Sequence, residues 1–380
     1  MLEENPTDTT TQEQRVTTEL SQLFSESHDH SGARMFELLN DPAVSQITVN
    51  RFDRVLYVDD RGTQSVEGVF ANAQSYHDWL GQVLAFTDAG TTSLTDASAS
   101  VIEGSFDAGR TALHGSVHVA TKELTRGDPA LTIRKQPNQI ITLDSMLNQG
   151  MLNEDMRLFL ELAVRGRSNI LVSGGSGAGK TTMARALSWY IDPSQRIVTA
   201  EEIDELHLAD RLPNVVALTT HRKLDSQGRL IRETDLEELV RQALRMRADR
   251  IWLGETRGRE AYAMVKSCNS GHDGSCTTIH ADSGSQAIQQ LITYVMESGL
   301  AEEVAREQVA RGFHLVIQIA RVEMGRRAVT EITELEPVRE GNQQRRNTLF
   351  KYDYDTGQHV QCGQPSPLLL RDWSRYGVNY

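Results

Sequence analysis

Cysteine is scarce in this chain: three residues out of 380, Cys268, Cys276 and Cys362. None are spaced as the CxxC pairs of a zinc site, so the expectation is free thiols in a reducing compartment. Long apolar runs are missing too. With no stretch of about 18 apolar residues, no membrane-spanning helix is expected. The opening MLEENPTDTTTQEQ lacks both the basic region and the apolar core of a secretory signal. These absences predict a cytoplasmic protein whose contact with a membrane is peripheral and made through partner proteins. Positive charge is also in short supply. A formal net charge of −13 argues against a general nucleic-acid coat, and no stable nucleic-acid binding is expected. It leaves room for a local basic surface in the arginine-rich stretch 241 to 259.

What is present reads as an ordinary globular chain long enough for two domains. Residues 1–32 are Thr-, Glu- and Gln-rich, too polar to offset their ordering entropy, and are read as disordered, with an amphipathic helix starting near Val16. An N-terminal α/β domain is expected over 33–135. Its helices run up to Asn40 and from Ala73 to Thr87, and its strands are Gln46–Asn50, Arg54–Val58, Thr111–Ala120 and Ala130–Arg134. Residues 136–153 read as a linker carrying a short helix. From 154 to 335, short apolar strands alternate with helices, the pattern of βαβ units around a largely parallel sheet. The strands expected are 169–173, 196–200, 215–218, 250–254, 276–279 and 314–320, with helices at 180–190, 235–247, 258–269 and 284–297. Ala328–Leu335 would close an antiparallel edge hairpin, and 336–380 form a polar C-terminal extension with one more hairpin near Asp355-Thr356-Gly357.

The most specific signal is Gly174-Gly175-Ser176-Gly177-Ala178-Gly179-Lys180-Thr181, preceded by the strand Ile170-Leu171-Val172 and followed by a helix. This is GxxxxGK[ST] in strand–loop–helix context. Glycines let backbone N–H groups curl around a polyphosphate, and a helix N-terminus adds partial positive charge. Lys180 reaches the β- and γ-phosphates, Thr181 supplies a hydroxyl to Mg²⁺, and Thr182 continues the cradle. ATP and Mg²⁺ are the expected cofactors.

Two more strands end in carboxylates, at Glu201-Glu202 and at Glu255. In an open α/β sheet ligands sit beyond the carboxyl ends of strands, so both would face the phosphates. One glutamate would polarise the attacking water, the other would hold a water of the Mg²⁺ shell; strand order alone does not divide the roles. In Gly271-His272-Asp273-Gly274-Ser275-Cys276-Thr277-Thr278-Ile279-His280 one histidine leads a strand and another closes it. His280 is placed to bond a γ-phosphate. A zinc reading of these histidines with Cys268 and Cys276 finds no recognisable ligand spacing.

Taken together, Asn169 to Thr182, Glu201 to Leu206, LRMRADRIWLGETRGREA and SGHDGSCTTIHA resemble the secretion ATPase superfamily that powers type II secretion, type IV pili and type IV secretion. They are most similar to its tight-adherence pilus and conjugation-type members. The resemblance runs over roughly residues 35 to 340 and includes ELLNDPAVSQITVN and LTIRK. It implies a homohexameric ring in which each subunit has an N-terminal α/β domain and a RecA-like P-loop domain, working on inner-membrane platform proteins. It implies that Glu201 is the acidic-box catalytic glutamate and Glu255 the Walker B glutamate. His272 and His280 match the histidine box, and Arg110 and Arg134 match arginines turned toward the nucleotide. Arg245 and Arg247 match arginines that reach a neighbouring subunit's site or line the ring interface. Departures include Ala200-Glu201-Glu202 where Ile-Glu-Asp is usual, which keeps Glu202 in play as the base, and Ala248 where proline is usual. Arg110 lacks the Gly-Ser that normally precedes it. A rival from another class is a RecA-like nucleic-acid translocase or DNA-transfer ATPase, which predicts salt-dependent DNA binding and DNA-stimulated hydrolysis. A nucleotide-binding scaffold without turnover is a third reading.

Overall fold

The computed structural model describes residues 31–59, 61–85, 87, 101–106, 115–125, 127–135, 141–224, 230–336 and 346–380. They divide into two compact units, one within Met1–Ile140 and Leu224–Ile231, the other within Ile141–Lys223 and Arg232–Tyr380. The helix expected near Val16 and the disorder expected over residues 1–32 lie outside the described residues, except that Ser31 and Gly32 open a helix.

The first unit holds α1 (Ser31–Asn40), β1 (Gln46–Arg51), β2 (Arg54–Asp59), β3 (Gly62–Val66), α2 (Ala73–Ala85), β4 (Val101–Ser105), β5 (Gly115–Ala120), α3 (Lys122–Thr125) and β6 (Ala130–Lys135). Its strands form an antiparallel sheet in the order β3-β2-β1-β6-β5-β4. The alternation that marks a half-buried strand is plain in β5, where Val117 and Val119 are buried and His118 is exposed. Tyr76, Trp79, Leu80, Val83 and Leu84 of α2 share one core cluster with Ile47, Val49, Leu131 and Ile133. The expected strand from Thr111 is described only from Gly115.

The second unit contains α4 (Leu143–Asn148), α5 (Glu154–Arg165), β7 (Ile170–Gly174), α6 (Lys180–Ser188), β8 (Ile197–Glu201) and β9 (Val215–Thr219). A separate ribbon follows, β10 (His221–Leu224) and β11 (Leu230–Thr234), of which Leu224, Leu230 and Ile231 count with the first unit. Then come α7 (Leu236–Ala243), β12 (Arg250–Thr256), α8 (Glu260–Cys268), β13 (Cys276–His280), α9 (Gly284–Met296) and α10 (Glu302–Gly312). The chain ends with β14 (Leu315–Arg321), β15 (Arg327–Leu335), β16 (Arg346–Asp353), β17 (Gln358–Gln361) and α11 (Pro367–Ser374). The main sheet runs β17-β16-β15-β14-β7-β13-β12-β8-β9; from β14 to β9 every pair is parallel, and the other three pairs are antiparallel.

Both faces of this sheet are covered, which is why its inner strands read as near-continuous apolar runs. Successive residues sort between two cores: Ile170 and Val172 face α4, α5, α6 and α11, while Leu171 faces α7, α8, α9 and α10. Trp252 and Leu253 of β12 divide in the same way. Each such buried aliphatic or aromatic side chain contributes about 1.5–3 kcal/mol.

Three boundaries differ from expectation. Residues 141–153 do not behave as a linker: Leu143, Met146, Met151 and Leu152 are buried in the same core as Phe159 and Leu187. Ala328–Leu335 does pair antiparallel to β14, but it is not at the edge, because β16 and β17 extend the sheet beyond it. The segment read as an extension therefore belongs to the unit, and Trp373 of α11 is buried against Phe159 with its indole N–H donating to Ser168 Oγ at 2.8 Å. Finally, α7 stops at Ala243, so Arg245 and Arg247 stand exposed beyond it, Arg247 with a φ of 56°. Among the described residues no helix is long and apolar enough to cross a membrane.

Candidate functional site

The centre of the second unit is the turn from β7 into α6. Buried Asn169 fixes where β7 starts: its Oδ1 accepts the N–H groups of Gly274 and Ser275 at 2.8 and 3.0 Å, and its Nδ2 donates to Gly312 O at 2.7 Å. The chain then leaves the sheet through Gly177 and Gly179, whose φ values of 66° and 102° lie where only glycine is unstrained. Ser176 and Gly177 are exposed, Gly175 and Gly179 half-buried, and Ala178 is tucked into the core. The N–H groups at the head of α6, from Lys180 through Thr181 and Thr182, have no intrahelical partner and suit an anion.

Lys180 is buried. Its Nζ donates to Gly175 O at 3.2 Å, lies 3.2 Å from the ring nitrogens of His280 and stands 3.9 Å from Glu255 Oε1. His280 Nε2 is 2.9 Å from the same Glu255 oxygen. Strand order brings these three side chains together: β13 lies beside β7, with His280 opposite Gly174, and β12 lies beside β13. A bulge in β12 helps to aim Glu255. Leu253 pairs with Thr277 and Thr256 with Ile279, so Gly254 and Glu255 together face one residue. Arg257 holds the other Glu255 oxygen at 2.7 Å and reaches Glu202 at 3.0 Å.

Glu201 closes β8, one strand further along the same end of the sheet. It is 3 % exposed, and its Oε1 accepts the N–H groups of Glu205 and Leu206, both at 3.1 Å. Its Oε2 is buried with no hydrogen-bond partner. Burial first, and the nearby Asp204 carboxylate second, push Glu201 well above the usual carboxylate range. A methyl group on Gly254 would sit 2.9 Å from Glu201 Cγ, so glycine at this bulge also makes room for the carboxylate. Glu202, by contrast, is exposed and paired with Arg257.

Of the other residues singled out from sequence, His272 is not brought to this cluster. It precedes β13, and its Nδ1 lies 3.3 Å from Ser267 O, so the strand's own length, ~13 Å, separates it from the His280 end. Arg134 lies exposed on β6 of the first unit, and Arg110 falls outside the described residues. Four groups were missed. Glu205 lies 3.4 Å from Thr181 Oγ1, Arg257 bridges the two carboxylate strands, and Arg321 and Arg327 stand beside the loop from the β14–β15 hairpin. Only the density of charge in GETRGRE and EEIDE could have flagged the first two.

The oxygen donors near the loop, Thr181 Oγ1 and the carboxylates of Glu205, Glu255 and Glu201, are hard ligands of the kind Mg²⁺ takes. Among the described residues no group of three or more His, Cys, Asp and Glu side chains is arranged to hold a metal. A Mg²⁺ ion here would draw its remaining ligands from phosphate and water.

A parallel core ordered β14-β7-β13-β12-β8, with the glycine-rich loop after β7 and carboxylates at the ends of β12 and β8, defines a RecA-like P-loop fold. The X-ray structure of the Yersinia pseudotuberculosis ATPase DotB shares this architecture, with a TM-score of 0.56 at 14% identity over 82% of this chain and 80% of that one. The chain belongs to the type II/IV secretion system protein family, whose model matches residues 113–353. It is 32% identical over 219 residues to the conjugal transfer protein TrbB of Rhizobium radiobacter, covering 57% of this chain and 63% of that protein. It is 38% identical over 185 residues to the type IV secretion system protein VirB11 of Bartonella quintana, covering 47% and 50%. The chain thus spans between half and two thirds of these relatives' length.

Proposed function

We propose that this protein is an ATPase motor that couples ATP hydrolysis to the movement of pilus subunits or secreted cargo through a membrane-embedded machine. The observation that carries the reading is the cluster of Lys180, His280 and Glu255 at one end of the sheet, directly beside a glycine-rich loop that opens a helix. A lysine held by a histidine and a carboxylate is poised to exchange both for a phosphate. Lys180 then binds the β- and γ-phosphates and His280 turns to the γ-phosphate. Thr181, Glu205 and Glu255 would hold Mg²⁺ directly or through water, and the ion would neutralise charge on the phosphates.

Glu201 is the better base of the acidic pair. Burial raises its affinity for a proton, one oxygen already accepts two backbone N–H groups, and the other, buried with no hydrogen-bond partner, is proposed to take the attacking water. The water's oxygen bonds to the γ-phosphorus, the bond from that phosphorus to the β–γ bridging oxygen breaks, and Glu201 takes the proton. Arg110 and Arg134 are proposed to offset charge on the transferred phosphoryl group. The working form is a homohexamer at the cytoplasmic face of the membrane, held there by platform proteins. The relatives' names, conjugal transfer and type IV secretion, favour that branch of the family over a tight-adherence pilus.

The test is ATP hydrolysis by the purified, assembled protein beside its Lys180→Ala variant, with and without DNA at two salt concentrations. Wild-type turnover that disappears in the variant and ignores DNA is expected. Equal phosphate release by the two proteins would refute the ATPase reading, and strong salt-sensitive stimulation by DNA would favour a nucleic-acid translocase.

A further inference from the structure

Charge around the glycine-rich loop is distributed unevenly. The carboxylates of Glu255 and Glu201 and the imidazole of His280 all come from strands on the β13 side of β7. The other side of β7 is β14, and there the loop meets two arginines. Arg327 Nε donates to Gly177 O at 3.2 Å. A methyl group built on Gly177 would lie 3.4 Å from Arg321 Nη2, and one on Gly179 would lie 3.6 Å from Arg327 Cδ. The two arginines sit directly opposite each other in the β14–β15 register. Among the described residues neither forms an ion pair with a carboxylate. Like charges facing each other across an antiparallel pair are destabilising. Two such charges flanking an anion cradle lose that penalty when an anion arrives.

We infer that Arg321 and Arg327 form the nucleoside-end clamp of the bound nucleotide, binding its α-phosphate on the flank away from Glu255 and His280. This rests on the reading of the loop as a nucleotide site and adds a polarity to it. The terminal phosphate points to the acidic, metal-ligating side, and the α-phosphate and ribose point to the arginine side. The clamp is a binding device, common to substrate and product. Arg327 also stiffens the loop through its bond to Gly177 O, so it positions the cradle as well as adding charge.

The experiment is equilibrium binding of ADP and of ATP, by calorimetry, to wild type, Lys180→Ala, Arg326→Ala and the double variant Arg321→Ala/Arg327→Ala. Single-turnover hydrolysis is measured on the same samples. The double variant should lose affinity for ADP and ATP by the same factor, about tenfold or more, as expected for two lost charge-assisted contacts. Its single-turnover rate at saturating ATP should fall by a smaller factor than its affinity does. Arg326→Ala, an exposed neighbour in the same turn, should leave both affinities unchanged. A further double variant, Arg321→Lys/Arg327→Lys, should recover part of the loss, which separates lost charge from a disturbed hairpin. Unchanged ADP affinity in the double variant would overturn the clamp. So would a loss confined to ATP, since that would place the arginines at the γ-phosphate. If wild type bound neither nucleotide, or bound both as well as Lys180→Ala does, the nucleotide reading itself would fall and take the clamp with it.

Discussion

Replacing Glu255 by glutamine removes one negative charge from beside Lys180 and His280 while keeping the side chain's shape. Lys180 Nζ and Glu255 Oε1 are 3.9 Å apart, with side chains 8% and 19% exposed. At an effective dielectric of about 20, Coulomb's law gives an attraction of about 4 kcal/mol. Desolvation of both groups cancels most of it, leaving a net of about 1 kcal/mol. An arriving phosphate must break that pairing and also approach the Glu255 charge. Glu255→Gln should therefore tighten ATP and ADP binding about fivefold, the equivalent of that net energy. Hydrolysis should move the other way. Without a carboxylate to hold the metal's water, turnover should fall about 10- to 100-fold. Equilibrium binding and single-turnover hydrolysis on one preparation measure both. Affinity and rate falling together would show that Glu255 supports the phosphate site instead of competing for its lysine, and the reasoning would be wrong.

Gly254→Ala would drive a methyl group to 3.0 Å from Glu201 Oε1 and should displace that carboxylate, costing about 1–3 kcal/mol of stability and most of the turnover; thermal melts and steady-state assays would show whether both occur. Glu201 has a raised pKa in the folded protein, so the fold holds its proton more tightly than the unfolded chain does, and stability is lost as pH rises from the usual carboxylate range through the raised value. Glu201→Gln should therefore raise the melting temperature at pH 8 and leave it unchanged near pH 4; a constant difference across pH would contradict the buried charge. Trp373→Ala should cost about 3–5 kcal/mol in urea unfolding of the whole chain, because the indole is packed against Phe159; a loss below about 1 kcal/mol would mean that the C-terminal helix is a detachable tail.

The part of the site that sequence revealed is the part built from neighbouring residues. Strand, glycine loop, Lys180 and helix are contiguous, and each residue type has a local reason to be there. Placing Glu255 and His280 near Lys180 needed only the rule that ligands lie beyond the carboxyl ends of parallel strands. The β12 bulge carried no such signal, because Gly254 could equally have been a turn glycine. Arg321 and Arg327 were hidden because β14 pairs with β7 across a large separation; Arg327 and its partner Gly177 are 150 residues apart. His272 was misleading for the converse reason: a pair of histidines close in sequence ends up at opposite ends of one strand. Residues 336–380 read as a polar extension because β16 and β17 carry many polar side chains around the buried Leu349 and Phe350, and Trp373 follows in a short helix.

The sheet order has a mechanical corollary. β7 is an interior strand, bonded to β13 on one side and β14 on the other, and each of its five residues is buried. Sliding it by one residue would exchange Leu171 with its neighbours across two separate cores, so the floor of the cradle cannot yield when phosphate arrives or departs. Any displacement must be taken up where the backbone leaves the strands: at 202–206 after β8, at 257–259 after β12, and at 281–283 after β13. Those short connections, rather than the strands beneath them, are where a chemical event at the loop would first become movement.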